Sequence, residues 1–266
     1  MDPAAHFHRE IRAFQAAVEQ AAKADSAPVV PSCPGWTVAD LAIHIGGVHR
    51  AVTSIIEDRL TGVPDQADLT FMRLPSDLTG WPDPANAPNH LPIPANLPGW
   101  LAEGAGGLAA VFRTSEPDRP AWTWSAEQTV GFWLRMQTIE AAVHRWDAEN
   151  ALGVPQPIDA ELAADAISQM FEVMAPARRS WLQAPPGAGE RFRFRRTDGA
   201  GDWLARFDGE DVRLTTAAQD GGRDVELAGT ASDLMLFLWR RIPADTLEVR
   251  GDRDTLDRYF VLVPPL

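Results

Sequence analysis

TVADLAIHIGGVHRAVTSIIEDRL, residues 37–60, and TVGFWLRMQTIEAAVHRWDAENAL, residues 129–152, carry apolar residues at three- and four-residue spacing and read as two long helices. Thr37 with Asp40 three positions later resembles a capping box, although Asp is shorter than the usual Glu. Each helix sets a histidine among apolar neighbours, His44 between Ile43 and Ile45 and His144 within IEAAVHRW. An unpaired imidazole is costly in such surroundings. Glu140 stands four positions before His144. At about 100° per residue, four steps bring two side chains to within about 40° of each other on a helix surface. Glu-x3-His is therefore half of a metal site, and His44 from a facing helix would complete a tripod with one coordination position left open. The same pair is also an ordinary i,i+4 surface contact, and spacing alone leaves both readings standing. HExxH and paired Glu-x-x-His motifs are absent, so a metalloprotease helix and a di-iron carboxylate bundle are set aside.

Outward from these helices the chain changes character once. Phe7, Ile11, Phe14, Val18 and Ala22 mark a first helix over about residues 3–24, and further helices are expected over 95–114 and 159–182. Residues 61–93 are rich in proline and poor in periodic apolar positions, which predicts a long loop. After PPGAGE the pattern becomes alternating: RFRFRRT, WLARFDG, DVRLTTA and RDVELAG read as short strands separated by turns. ASDLMLFLWRR reads as a helix beginning near Ser232 or Asp233, LEVRGD as a strand, and RDTLDRYFVLV as a terminal helix. The expected division is an all-helical bundle over 1–184 and a small α+β domain over 185–266.

Composition bounds the function. The 266 residues are 45% hydrophobic and 23% charged, the profile of an ordinary globular chain. A formal net charge of -13 disfavours nucleic acid and anionic lipid as partners. No apolar run is long enough to span a bilayer, and MDPAAHFHRE has no secretory pattern, so a cytoplasmic protein is expected. Cys33 is the single cysteine and Lys23 the single lysine. That excludes a disulfide framework, and Lys23 has no glycine loop before it to make a P-loop. His49 lies five positions from His44, about 140° around the helix, and is expected off the His44 face. His6 and His8 near the terminus and His90 in the proline-rich loop are expected at the surface.

CPGWTVADLAIHIGGVHR (residues 33–50) and EAAVHRWDAE (residues 140–149) resemble the two signatures of mycothiol-dependent maleylpyruvate isomerase-like proteins, in the DinB-like helical-bundle superfamily. The resemblance spans nearly the whole chain and implies an N-terminal DinB-like four-helix bundle with a small C-terminal α+β domain. It also implies that His44, Glu140 and His144 bind a divalent metal, usually zinc, and that the thiol cosubstrate is mycothiol. A cation at an open position stabilises thiolate over thiol, whereas a free thiol of pKa about 8.5 is only a few per cent ionised at neutral pH. In the isomerase, thiolate adds to the double bond of maleylpyruvate, and rotation and elimination follow; relatives use the activated thiol for conjugation or exchange. Cys33, in a turn beside Pro34, reads as a small packed residue rather than the nucleophile.

The resemblance further implies a catalytic arginine for a carboxylate-bearing substrate, at Arg241. The family usually has glycine just before it, where this chain has Arg240, and a solvated helix end explains both arginines equally well. Asp147, near the face of Glu140 and His144, can orient an imidazole or pair with Arg145 or Arg50. Trp122, Trp124, Trp133 and Trp146 are expected in the core, with a pocket wall as the minor alternative. The function expected is a zinc-dependent, mycothiol-using isomerase or S-transferase acting as a monomer or weak homodimer. A catalytically silent metal- and thiol-binding module and a metal-dependent hydrolase are the alternatives.

Overall fold

In a computed structural model describing residues 2–65, 67–216 and 222–265, the boundary between compact units falls at Gln156/Pro157. Gln66 in the expected loop and Ala217 at the end of the expected third strand lie outside the described residues. The change from helix to strand does come near residue 185, at Gly187, but it is not the edge of a unit. The helices over 160–181 are counted with the sheet because they pack on it and on the helix before the last strand.

The first unit holds α1 (Pro3–Ala21), α2 (Val38–Glu57), α3 (Leu97–Thr114) and α4 (Val130–Ala151), each within three residues of its expected ends. α1, α2 and α4 start with side-chain caps, whereas α3 has none at Asn96. Thr37 and Asp40 form a reciprocal capping box at α2, and Thr129 Oγ1 accepts the Phe132 amide at α4. Asp40 also accepts from the Asn89 amide and side chain, which ties the long loop to the head of α2. Residues 58–96 hold two short 3-10 turns and no longer helix or strand among those described.

α1 packs on α4 and α3, and α2 packs on α3 and α4, burying Phe7, Phe14, Leu41, Ile45, Leu97 and Ile139. Buried charge is paired: Arg145 Nε donates to Glu10 at 2.8 Å and Arg145 Nη1 to Glu149 at 2.7 Å, joining α4 to α1. At the α2–α3 contact the Arg50 guanidinium lies 4.0 Å from the Trp100 ring centre, and two glycines make room for it. A Cβ at Gly46 would fall 2.1 Å from the Trp100 ring, and one at Gly104 would fall 2.1 Å from Arg50 Nη1.

The second unit carries β1 (Gly187–Arg196), β2 (Asp202–Gly209), β3 (Asp211–Thr216), β4 (Val225–Gly229) and β5 (Glu248–Gly251) in the order β3-β2-β1-β4-β5. β1 and β4 run parallel; the other neighbours are antiparallel. Alternation in β1 splits the faces. Phe192 and Phe194 are buried with Phe207 and Tyr259, while Arg191 and Arg193 pair with Asp224, Asp202 and Glu226 on the other side. Gly209 turns the β2–β3 hairpin at φ 58°, where a Cβ would be strained.

The helix expected over 159–182 is present in three pieces: α5 (Ala160–Gln169), a π-helical segment (Met170–Met174) and α6 (Ala175–Trp181). Pro176 has no amide to donate and its ring crowds the carbonyl four residues back, so the wider π turn takes up the mismatch. α7 (Ala231–Leu238) starts where the ASDLMLFLWRR stretch does, with Thr230 capping the Asp233 amide, and ends three residues before it does. The terminal helix is two short ones, α8 (Arg253–Asp257) and α9 (Tyr259–Leu262).

Gly46→Ala should cost about 1–3 kcal/mol in urea unfolding, because the rigid Trp100 ring cannot yield. Gly106→Ala on the open side of α3, where nothing lies within 4 Å of the added Cβ, should instead gain up to about 1 kcal/mol. Equal effects at the two positions would contradict the close α2–α3 contact.

Candidate metal centre

Gln137, Glu140, His144 and Asp147 follow one another at three, four and three positions along α4, and this spacing lines them on one stripe. α2 brings His44 against that stripe. His44 Nε2 lies 3.2 Å from Glu140 Oε1, and the His44 and His144 rings meet at 5.3 Å between centres and 78° between planes. Ligand atoms of His44, Glu140 and His144 all lie within 4.8 Å of one another. No other cluster of three such groups that could hold a metal occurs among the described residues.

The donor set suits a divalent cation. Two imidazoles and one carboxylate form a common zinc ligand set for sites that keep a position open. Bond lengths of about 2.0–2.2 Å in a tetrahedron put ligand atoms roughly 3.3–3.5 Å apart, so a contraction of about 1 Å or a little more would close these three around an ion. The side chains of His44, Glu140 and His144 are 33%, 18% and 12% exposed, which leaves the cluster open to a small molecule yet mostly shielded.

Neighbouring groups hold the three in place. Gln137 Nε2 donates to Glu140 Oε2 at 2.7 Å. Asp147, fully buried, lies 3.0 Å from His144 Nδ1 and accepts from Ser32 Oγ at 2.6 Å. With Nδ1–H donated to that carboxylate, His144 presents the lone pair of Nε2. Asp147 is thus placed to orient an imidazole, while the Arg145 guanidinium bonds Glu10 and that of Arg50 the Trp100 carbonyl. The Trp36 indole packs edge-on against His44 at 5.0 Å. Cys33 Sγ is 4.0 Å from Asp147 Oδ2, a weak contact beside the site.

Burial by itself would raise the Glu140 carboxyl. The His44 hydrogen bond, the charges of His44 and His144, and the Gln137 amide outweigh that and hold it down to about 2. The cluster therefore contains a fixed negative charge beside two imidazoles. Ser32 and Gln137 were not singled out in the sequence, and Trp36 entered it only as part of the CPGWT signature. Gln137 lies one turn before Glu140, and could have been found by extending the same stripe.

His49, as expected, is turned away from His44. It is fully buried against Phe7, at 5.5 Å between ring centres, and neither ring nitrogen has a hydrogen-bond partner among the described residues. Burial lowers its pKa from 6.5 to about 4; the charge of Glu140 opposes this, and those of His44 and Arg50 add to it. His6 and His90 lie away from the metal cluster, with His6 bonded to Arg9 and His90 exposed, as is His8. Trp133 and Trp146 are buried, and Trp133 Nε1 donates to the Trp122 carbonyl at 2.7 Å. A cavity of about 590 Å³ between α2, α3 and the loop after α2 is lined by Arg50, Asp58, Asp68, Arg73 and Glu103, among others, and by none of His44, Glu140 and His144.

Arg240 and Arg241 belong to the second unit, at the end of α7. The Arg240 amide donates to the Phe237 carbonyl at 2.8 Å and the Arg241 amide to the Leu236 carbonyl at 2.7 Å. This is a Schellman ending, with Arg240 in the left-handed position at φ 61°. That backbone position is the one glycine favours, and here the arginine stacks on Phe260 at 5.4 Å instead. Arg241 is half-buried, and its Nη1 donates to the Trp239 carbonyl at 2.8 Å.

The chain thus joins a helical unit that gathers two imidazoles and a carboxylate to a second unit built on a five-stranded α+β sheet. Residues 7–149 match the mycothiol maleylpyruvate isomerase N-terminal domain, and residues 161–258 match the C-terminal domain described for the same proteins. The chain belongs to the mycothiol maleylpyruvate isomerase family, a family of enzymes. Two solved structures share the fold. A crystal structure of a histidine-to-alanine mutant of mycothiol-dependent maleylpyruvate isomerase aligns at a TM-score of 0.59 and 13% identity, covering 94% of this chain and 93% of that one. A crystal structure of mycothiol-dependent maleylpyruvate isomerase gives 0.57 and 13%, with the same coverage. Among curated proteins, no sequence match was found.

Lowering the pH should expose His49. Between pH 6.5 and about 4 the unfolded chain binds a proton at this imidazole that the folded chain refuses, so stability falls as pH drops through that window. From neutrality to pH 5 this one group should cost about 2 kcal/mol. His49→Leu should remove that part of the slope in urea unfolding at the two pH values. A variant with the wild-type slope would contradict the burial of a neutral imidazole.

Proposed function

We propose that the protein is a divalent-metal-dependent enzyme that uses mycothiol as its thiol cosubstrate on a small, carboxylate-bearing electrophile, by addition and isomerisation or by S-transfer. The observation that carries this reading is the meeting of His44, Glu140 and His144 from two helices, in a chain of the mycothiol maleylpyruvate isomerase family. Zinc is the metal that this donor set suits best. Bound there, the ion would supply Lewis acidity, favouring thiolate over thiol at neutral pH.

The chain's own groups do the rest. Glu140, ionised across the physiological range, would offset only one of a bound divalent ion's two charges, leaving net positive charge for an incoming thiol. Asp147 keeps the His144 ring in one orientation. Trp36 covers one side of His44. Cys33 is not the nucleophile in this reading, since a negative sulfur there would face the Asp147 carboxylate. Arg241 is assigned to the substrate carboxylate, which its guanidinium can bind bidentately. The enzyme would act in the cytoplasm, on small molecules alone, as a monomer or weak homodimer. In the described residues no helix is long and apolar enough to cross a membrane.

Metal analysis and thiol-dependent turnover test the proposal. His44→Ala and Glu140→Gln should each lower bound zinc to a minor fraction and cut mycothiol-dependent consumption of maleylpyruvate, or of another unsaturated acid, by about 100-fold or more. Full zinc occupancy surviving His44→Ala would overturn the ligand assignment. Turnover that needs no thiol would favour metal-dependent hydrolysis. Arg241→Ala should raise KM for the acid by about 10-fold or more with metal content unchanged, and Arg240→Ala should leave KM alone. The reverse pattern would move the substrate carboxylate to Arg240.

A further inference from the structure

The segment that leads into α2 is a tight turn. The Cys33 amide donates to the Val30 carbonyl at 3.0 Å, the Trp36 amide to the Cys33 carbonyl at 2.8 Å, and the Val30 amide to the Trp36 carbonyl at 2.9 Å. A bridge between Val29 and Thr37 closes its base. This turn holds Ser32 with its hydroxyl 2.6 Å from Asp147 Oδ1, across 115 residues of sequence. The other oxygen of the same carboxylate is 3.0 Å from His144 Nδ1.

We infer that Ser32 is a positioning residue for the metal centre: through Asp147 it fixes the tautomer and ring plane of His144. The inference rests on reading His44, Glu140 and His144 as metal ligands. The physical reasoning is short. A carboxylate that is fully buried can rotate about its last bond unless both oxygens are engaged. A hydroxyl donor at 2.6 Å is a strong, charge-assisted contact, and it engages Oδ1 while the imidazole takes Oδ2, which opposes that rotation. Oδ2 then stays aimed at Nδ1, which keeps the proton on Nδ1 and the lone pair on Nε2. Cys33 reaches the same carboxylate only at 4.0 Å, and a thiol is a poor donor, so it does not replace the serine.

Two readouts test this, and one needs no metal. In the metal-free protein at pH about 8.5, well above the ordinary imidazole range, 15N-histidine NMR should show His144 in the Nδ1–H form, assigned with His144→Gln. Ser32→Ala should add the Nε2–H form and weaken zinc binding about 10-fold in a chelator competition. Ser32→Thr, which keeps the hydroxyl, should restore both. Should Ser32→Ala not fold, Ser32→Cys keeps the shape with a weak donor and should show the same two changes. An unchanged His144 tautomer in a folded Ser32→Ala or Ser32→Cys protein overturns the inference, whatever the zinc affinity does. A wild-type protein that takes up no zinc, yet shows the Nδ1–H form lost in Ser32→Ala, would overturn the metal reading and support the positioning.

Discussion

Placing one carboxylate, largely out of water, between two imidazoles from different helices is the constraint on which the rest of the helical unit depends. An ionised Glu140 in that position is stable only with donors or positive charge around it. Its own helix supplies Gln137 one turn before, and α2 supplies His44. The requirement that α2 and α4 meet at that height therefore sets demands on both helices. It asks for a fixed start to α2, met by the Thr37–Asp40 box, and for anchoring of α4, met by the buried Arg145–Glu10 pair.

Other packing decisions serve the same geometry. Gly46 lies two residues beyond His44 and lets Trp100 press directly on α2. Arg50 then fills the space beside Gly104 with a guanidinium stacked on the indole, bonded to the Gly46 and Trp100 carbonyls. The α2–α3 contact is held by shape, and the α2–α4 contact brings His44, Glu140 and His144 together. His49 shows what the arrangement costs, a neutral imidazole sealed among apolar groups with both nitrogens unpaired among the described residues.

Much of this was legible in the amino-acid sequence, for a physical reason. Helical periodicity is local, so the Glu140–His144 stripe and the apolar setting of His44 could be read directly, and the family signatures joined them. Asp147 was visible as a neighbour of the stripe, with orienting an imidazole as one of two open roles, but its partner Ser32 was not, because it lies 115 residues away in a turn. The unit boundary was misplaced by the helix-to-strand switch, because α5 is helical by periodicity yet packs with the sheet, a tertiary fact. The π turn before Pro176 was hidden for a related reason, since a proline predicts trouble in a helix without saying how the backbone absorbs it. Arg240 in place of the family's glycine reads as a departure in sequence. In the structure Arg240 takes the left-handed position of the helix ending, the conformation that glycine favours.

X-ray absorption at the zinc edge of the metal-loaded protein puts the central idea to its most direct test. The account predicts a shell of nitrogen and oxygen only, with the multiple scattering of two imidazoles, and one added sulfur when mycothiol is supplied. Scattering from fewer than two imidazoles, or a sulfur ligand before any thiol is added, would contradict it.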